Sequence, residues 1–343
     1  MKIVRHMSGL SERKRPICLA VGFFDGVHLG HQNVLRRTIE HARKIGGEAW
    51  AMTFDPHPLK ILNPDAAPRM LTTSPHKLHL LQQFGLDGCL LIPFNRKFAA
   101  IQAASFLKKL ERDIPSLAAI FMGDDWHFGH KGQGNHQMLC DWAAHHPGIS
   151  IHQIEAVRRG GQPISSTRIR NTVISGKLGE STALLGRPYS ILGTVRHGNQ
   201  IGRKIGYPTA NLAPCNEAHP PTGVYAVQTI FNGKSFPGMV NFGFRPTVAP
   251  VKKPLVEVYL LDTKQNLYGR QLEVFFLRKL RHEKKYPDLK TLIHQIRKDE
   301  IKARQTLASA SVKKLWIGTL QKWHPDIIVN VTNKSIKLRK ERD

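Results

Sequence analysis

Two rhythms of apolar residues divide this chain, and the division constrains its fold more than any single motif. From residue 17 to about 185, apolar runs of strand length alternate with helix-periodic segments, the order that builds a parallel α/β sheet. The expected units are a strand at 17–24, a helix at 31–45, a strand at 48–54, a helix at 74–84, a strand at 88–94, a helix at 98–111, and strands at 117–122 and 149–155. In the first helix Val34, Leu35, Ile39 and Ala42 share one face, and Gly46-Gly47 stops it. After Gly186 the texture changes to short strands separated by Gly, Pro and Asn: ILGTVRHG, GVYAVQTI, FPGMVNF, LVEVYLL and QLEVFFL. That spacing predicts an antiparallel barrel or sandwich. A helix from Asp288 to about Leu307 follows, with Leu289, Leu292, Ile293, Ile296 and Ile301 at helical spacing.

A chain of 343 residues exceeds one ordinary core, so two domains of roughly 150 residues each are expected. The boundary falls near Leu185 to Tyr189, giving domains 1–185 and 186–307 and a basic extension at 308–343 that ends KLRKERD. The extension is expected to be solvated or loosely docked. Near the start the longest apolar run, Ile17 to Phe24, has eight residues and ends in a charge, too short to span a membrane. A cytoplasmic protein without a membrane partner is expected. Cys18, Cys89, Cys140 and Cys215 form no CxxC pair, which supports neither a zinc ribbon nor a disulfide framework. Buried, inert thiols are expected instead. The excess of 51 basic over 25 acidic side chains favours anionic partners, and the net charge is +26. The basic residues are spread without a zinc-finger, basic-zipper or RNP-like pattern, so nucleotides are expected rather than a specific nucleic acid. No signal of oligomeric state is present.

The first chemical constellation is VGFFDGVHLGHQN, Val21 to Asn33, where a buried-looking strand gives way to a helix. Ligands of a parallel sheet bind where strands end and helices begin, because first-turn amides are unpaired and partly positive. Gly26 and Gly30 let the backbone approach an anion, and His28 and His31, one helical turn apart, can donate hydrogen bonds to it. Two histidines alone do not close a zinc site. The companion stretch is ISSTRIR, Ile164 to Arg170, which reads as a helix start. Ser165, Ser166 and Thr167 offer hydroxyls and an N-cap, and Arg168 and Arg170 offer guanidinium groups. No GxxxxGK[ST] loop is present, so a P-loop is excluded.

GFFDGVHLGH with ISSTRIR resembles the HxGH and ISSTxIR pair of the nucleotidyltransferase superfamily, a Rossmann-like fold with a parallel sheet. TFDPHP, LTTSPHKLHLLQQFGLD and MGDDWHFGHKGQGNHQML are similar to the FMN adenylyltransferase half of the bacterial bifunctional riboflavin kinase/FAD synthetases. The resemblance implies that His28 and His31 act in catalysis at the ATP phosphates. It places Gly22, Phe24, Asp25, Gly26 and Gly30 around the phosphates, with Ser165, Ser166, Thr167 and Arg168 closing over them. It puts Asp55, Asp125, Phe128 and Gly129 near the flavin or adenine. Two departures stand out: Phe23 occupies a position usually small or polar, and GDDWHFG carries Trp126 and His127 where the family has G-x-D/N-F-R-F-G. They motivate an alternative in which this half is impaired or only binds nucleotide.

The second constellation is GTVRHGNQIGRKIGYPTANL, Gly193 to Leu212, glycine-dense and basic in the manner of an anion-covering loop. In its PTAN segment Thr209 and Asn211 lie two apart, so an extended chain turns both oxygens to one side, where they can share Mg²⁺. Glu257 sits in LVEVYLL, an apolar strand in which a lone carboxylate is costly unless it has a partner or a task. With NFGFRPT, VEVYLLD, LYG and a helix ending IRKDEIKAR, this half resembles the riboflavin kinase family over nearly all of 186–307. That family is a six-stranded antiparallel barrel with a C-terminal helix. The resemblance implies Mg²⁺ on Thr209 and Asn211, ATP phosphates at Gly198, Gly202, Lys204 and Gly206, flavin at Asn241, and Glu257 as base on the ribityl 5′-hydroxyl. Together the two resemblances imply an enzyme that makes FMN from riboflavin and ATP, then FAD and pyrophosphate from FMN and ATP, with Mg²⁺ at both sites.

Overall fold

The computed structural model describes residues 1–196, 206–214, 216–244, 254–263, 267–309, 327–332 and 335–340. The chain divides into two compact units, Met1–Arg168 and Ile169–Asp343.

In the first unit the strands are β1 (Lys2–Val4), β2 (Ile17–Val21), β3 (Glu48–Asp55), β4 (Gly88–Pro93), β5 (Leu117–Gly123) and β6 (Ser150–Ile154), with a small hairpin, β7 (Arg158–Arg159) and β8 (Gln162–Pro163). Its helices are α1 (Leu29–Lys44), α2 (Pro58–Leu62), α3 (Ser74–Gln83), α4 (Arg96–Ala99), α5 (Ala103–Asp113) and α6 (His136–Ala144), and α7 (Ser166–Ile174) begins at its end. The sheet order is β1-β4-β3-β2-β5-β6, and each neighbouring pair is parallel. Every residue of β2 is buried, as a central strand covered on both faces requires. From β2 the chain proceeds outward through β3 to β4, then returns to place β5 on the other flank of β2. That reversal makes the carboxyl end of β2 the topological switch point of the sheet.

The strand and helix expectations hold here to within a few residues, with one division. The helix expected at 98–111 is two helices, α4 and α5. The Asn95 side chain caps α4 by accepting from the Phe98 amide at 2.9 Å. The Ile101 carbonyl accepts from the His130 amide at 2.7 Å, so it serves the loop after β5 instead of a helical ladder. The edge strand β1 and helix α6 were not anticipated.

In the second unit, α8 (Leu178–Leu185) precedes β9 (Ser190–Arg196), β10 (Ala210–Pro214), β11 (Gly223–Phe231), β12 (Lys234–Phe244), β13 (Pro254–Leu260) and β14 (Gln271–Arg281). These six strands close into an antiparallel barrel in the order β10-β13-β12-β11-β14-β9, which decides between barrel and sandwich. Leu212, Val240, Phe242, Val256, Val258 and Phe276 fill it. Asn232 and Gly233, both at positive φ, form the two-residue turn that joins β11 to β12. The helix α9 (Leu289–Ser309) follows, and β15 (Ile327–Thr332) pairs antiparallel with β16 (Ser335–Lys340) in the segment expected to be a loose extension. Among the described residues no helix is long and apolar enough to cross a membrane.

Candidate active sites

The chain leaves β2 through a tight corner. Phe24, Gly26 and Val27 take φ values of 51°, 80° and 40°, so the turn enters the left-handed region at three places before α1 begins. His28 is the N-cap residue of α1, and its Nδ1 accepts from the His31 amide at 3.3 Å. With Nδ1 an acceptor, the neutral His28 ring carries its proton on Nε2. The two imidazoles stack with centroids 3.6 Å apart, and Phe24 meets His31 edge-on at 5.3 Å. The His31 Nδ1 is buried without a hydrogen-bond partner. Burial first, then the His28 and Lys77 charges, hold this imidazole well below the usual histidine range. At neutral pH it is an uncharged donor. A Cβ on Gly30 would lie 3.1 Å from the His28 ring and 3.6 Å from the Ile164 carbonyl oxygen, so the glycine lets the histidine pair and the ISSTRIR segment approach each other.

The structure brings that segment, distant in sequence, onto the corner. Ser166 donates from Oγ to the Asp25 carbonyl oxygen at 2.9 Å, and Ser165 Oγ accepts from the Arg168 amide at 3.2 Å. The Arg168 guanidinium donates to the Arg159 and Gln162 carbonyls at 2.9 and 3.2 Å, on the β7–β8 hairpin. The buried Asp25 carboxylate accepts from the Leu71 and Thr72 amides at 3.1 and 2.9 Å and from the Thr72 hydroxyl at 3.1 Å. Thr72 Oγ1 in turn accepts from the Gly26 amide at 3.1 Å, which ties the corner to the loop before α3.

A residue that the sequence reasoning passed over lies beneath this corner. Lys77 is buried on α3, and its ammonium donates to the Thr53 hydroxyl at 2.9 Å and to the Phe23 and Phe54 carbonyls at 3.1 and 3.2 Å. It shares the buried stripe of α3 with Leu80 and Leu81. A cation at i, i+3 and i+4 from core leucines was the available signal.

The positions assigned to flavin or adenine spread around the carboxyl edge of the sheet. Asp55 is the last residue of β3, and Asp125 is exposed beyond β5. Phe128 is buried and stacks on Trp126 at 5.1 Å, while the exposed His127 ring is 3.0 Å from the Asp125 carbonyl oxygen. Trp126 is therefore absorbed by the core of this unit. Gly129 takes φ 76° and ψ 179°, with Ala103 backbone 2.7 Å from where a Cβ would stand. Phe23 is exposed and meets the rings of Phe54 and His57 at 5.5 and 5.0 Å.

In the barrel, strand register assembles the second constellation. Asn211 on β10 and Asn241 on β12 both pair with Glu257 on the intervening β13. The Asn241 amide donates to Glu257 Oε2 at 3.4 Å. Val256, Val258 and Leu260 point into the barrel, so Glu257 stands on the alternate, partly open face, which removes the burial cost expected of it. Thr209 and Asn211 are partly exposed two residues apart, and Gly206 takes φ 83°. Gly198, Gly202 and Lys204 lie outside the described residues.

Comparison with known proteins separates the same two halves. The FAD synthetase family matches residues 10–168 and the riboflavin kinase family matches residues 185–307. The bifunctional riboflavin kinase/FMN adenylyltransferase of Escherichia coli K12 is 38% identical over 307 residues, 89% of this chain and 97% of that one. The chain belongs to the bifunctional riboflavin kinase/FMN adenylyltransferase family. Members from Pseudomonas fluorescens and Bacillus subtilis are 35% and 34% identical, over 91% and 86% of this chain and 99% and 93% of theirs. A crystal structure described as a macrolide-efflux protein from Streptococcus pneumoniae shares the fold, with a TM-score of 0.75 and 27% identity over 88% of this chain and 98% of that one. In this family's terms the corner after β2 lies in the FAD synthetase half and the Asn211–Glu257–Asn241 row in the riboflavin kinase half.

Proposed function

We propose that this enzyme phosphorylates riboflavin to FMN at the barrel and adenylylates FMN to FAD at the carboxyl end of β2, with ATP as co-substrate in both steps. The observation that carries the proposal is the tandem match: each family coincides with one half of the chain, and each half holds its own polar constellation. Residues 1–185 and 186–307 are assigned to the two activities, and the enzyme to the cytoplasm.

In adenylylation the phosphate of FMN attacks the α-phosphorus of ATP and the bond to the pyrophosphate breaks. That nucleophile is already ionised, so no strong base is needed and catalysis rests on alignment and charge stabilisation. His28 and the neutral His31 donate to phosphate oxygens, joined by the unpaired amides at the start of α1. Ser166 holds the Asp25 carbonyl, and with it the turn, while Thr167 and Arg168 close the phosphate end. In the kinase step an alcohol must lose its proton. Glu257 takes it as the 5′-oxygen attacks the γ-phosphorus and the bond to the departing ADP breaks, with the Asn241 amide orienting the carboxylate. Thr209 and Asn211, hard oxygen donors two residues apart, with Asn211 opposite Glu257 in register, suit Mg²⁺. When bound, Mg²⁺ would neutralise ATP phosphate charge.

A chromatographic time course with riboflavin, ATP and Mg²⁺ tests the proposal. Transient FMN followed by FAD is expected, and FMN that accumulates without FAD would overturn the adenylylation half.

A further inference from the structure

Phe23 stands in the turn of the adenylylation corner, and neither step above uses it. It is 39% exposed, whereas the next residue, Phe24, is buried and lies edge-on to His31. The exposure does not come from a loose chain. The Phe23 carbonyl accepts from the Thr53 hydroxyl at 3.0 Å and from the Lys77 ammonium at 3.1 Å, and the ring leans on Phe54 and His57 with centroids 5.5 and 5.0 Å away. Phe54 is itself buried against Phe94 and Phe98, at 6.0 and 5.9 Å, so the exposed ring has a fixed backing. The His57 ring is held as well, because its Nδ1 accepts from the Leu59 amide at 3.2 Å at the start of α2. On α2, Leu59 and Leu62 are 39% and 57% exposed. One exposed phenylalanine needs no explanation. Three large apolar side chains left in water on the turn after β2 and the helix after β3 do, because they stand at the carboxyl edge where a parallel sheet binds its ligands.

Phosphate groups gain nothing from an apolar ring, whereas a flat heterocycle packs well against one. Adenylylation brings two such heterocycles, the adenine of ATP and the isoalloxazine of FMN. The sheet order puts β3 on one flank of β2 and β5 and β6 on the other. The segment 164–170, which arrives after β6, closes on Asp25 and Gly30, while Phe23 leans on the end of β3 and the residue His57 beyond it. ATP held by its phosphates between the start of α1 and that segment leaves the β3 flank to the second substrate. We propose that Phe23 is a specificity-determining residue for FMN adenylylation, its ring packing against the isoalloxazine of FMN. The inference rests on the assignment of adenylylation to this corner. The departure from a small or polar residue at this position then adds contact with the flavin instead of weakening the site.

The test measures initial rates of FAD formation, varying FMN at saturating ATP and ATP at saturating FMN, for wild type, Phe23→Asn, Phe23→Leu and Phe23→Tyr. Phe23→Asn should raise KM for FMN about tenfold while KM for ATP and kcat stay within about twofold. Phe23→Tyr keeps the flat ring and should hold KM for FMN near the wild-type value. Phe23→Leu keeps apolar bulk against Phe54 and loses the flat face; it should raise KM for FMN about threefold, and it carries the test if Phe23→Asn does not fold. FAD retains the isoalloxazine, so its inhibition constant as a product should rise in step with KM for FMN. A rise in KM for ATP with KM for FMN unchanged would put the ring on the adenine side. A fall in kcat with both KM values unchanged would make Phe23 a prop of the turn. Either result overturns the proposal. A wild-type enzyme that forms no FAD would instead overturn the assignment of the reaction to this chain, and that outcome is read before any variant is compared.

Discussion

Ser166 donates from Oγ to the carbonyl oxygen of Asp25 at 2.9 Å, a contact between residues 141 positions apart that joins the start of α7 to the turn after β2. This bond holds the two halves of the nucleotidyltransferase signature in register. Ser166→Ala should slow FAD formation from FMN about fivefold, for the loss of roughly 1 kcal/mol in one hydrogen bond. Steady-state assays of the two steps measure this, with FMN formation unchanged.

The two chemistries should separate by mutation. Glu257→Gln removes the proposed base at the alcohol and should lower FMN formation by about 10²- to 10⁴-fold while FMN adenylylation continues. His31→Ala removes a proposed phosphate donor and should lower FAD formation by about 10²- to 10³-fold while FMN still forms. Chromatographic resolution of riboflavin, FMN and FAD reports both. Loss of both steps from either change in a folded protein would contradict two independent sites.

Gly129 should tolerate no side chain. Its φ of 76° with ψ of 179° lies in a region open essentially to glycine alone, and a Cβ would stand 2.7 Å from the Ala103 backbone. Gly129→Ala should destabilise the unit by about 1–3 kcal/mol. Thermal unfolding should show the loss. A melting temperature equal to wild type would mean that the loop after β5 relaxes without cost.

The thiols make a chemical prediction. Burial pushes the Cys18 thiol up to about 11 and the Cys89 thiol up to about 12, the latter partly opposed by Lys77. The thiolate is the reactive form, so neither residue should be alkylated in the native protein at pH 8, whereas the half-buried Cys140 should be modified. Mass mapping after brief iodoacetamide treatment reads the order, and Cys89 reacting as fast as Cys140 would refute it.

Much of this site was legible because it is local. The β2-to-α1 corner announced itself through glycines and histidines at helical spacing, and both histidines do meet, although His28 caps α1 from outside instead of sharing its face. Lys77 is not legible in the sequence because its meaning lies in three acceptors, two at the end of β3 and one in the turn after β2. Trp126 and His127 looked like a weakened flavin loop, but period-2 alternation sends Trp126 inward with Phe128 and leaves His127 outside.

By itself the sequence determined the two-part architecture, the type and approximate limits of most elements, and the short segments that carry polar chemistry, since periodicity, capping and turn residues act over a few positions. Tertiary structure alone decided the strand order that makes the end of β2 a switch point, the seating of Ser166 on Asp25, and the alignment of Asn211, Glu257 and Asn241 across three strands. Those depend on pairing between distant segments. A slip of one residue in β13 would turn Glu257 into the barrel and Val258 out of it, and only the packing of the whole core selects against that register.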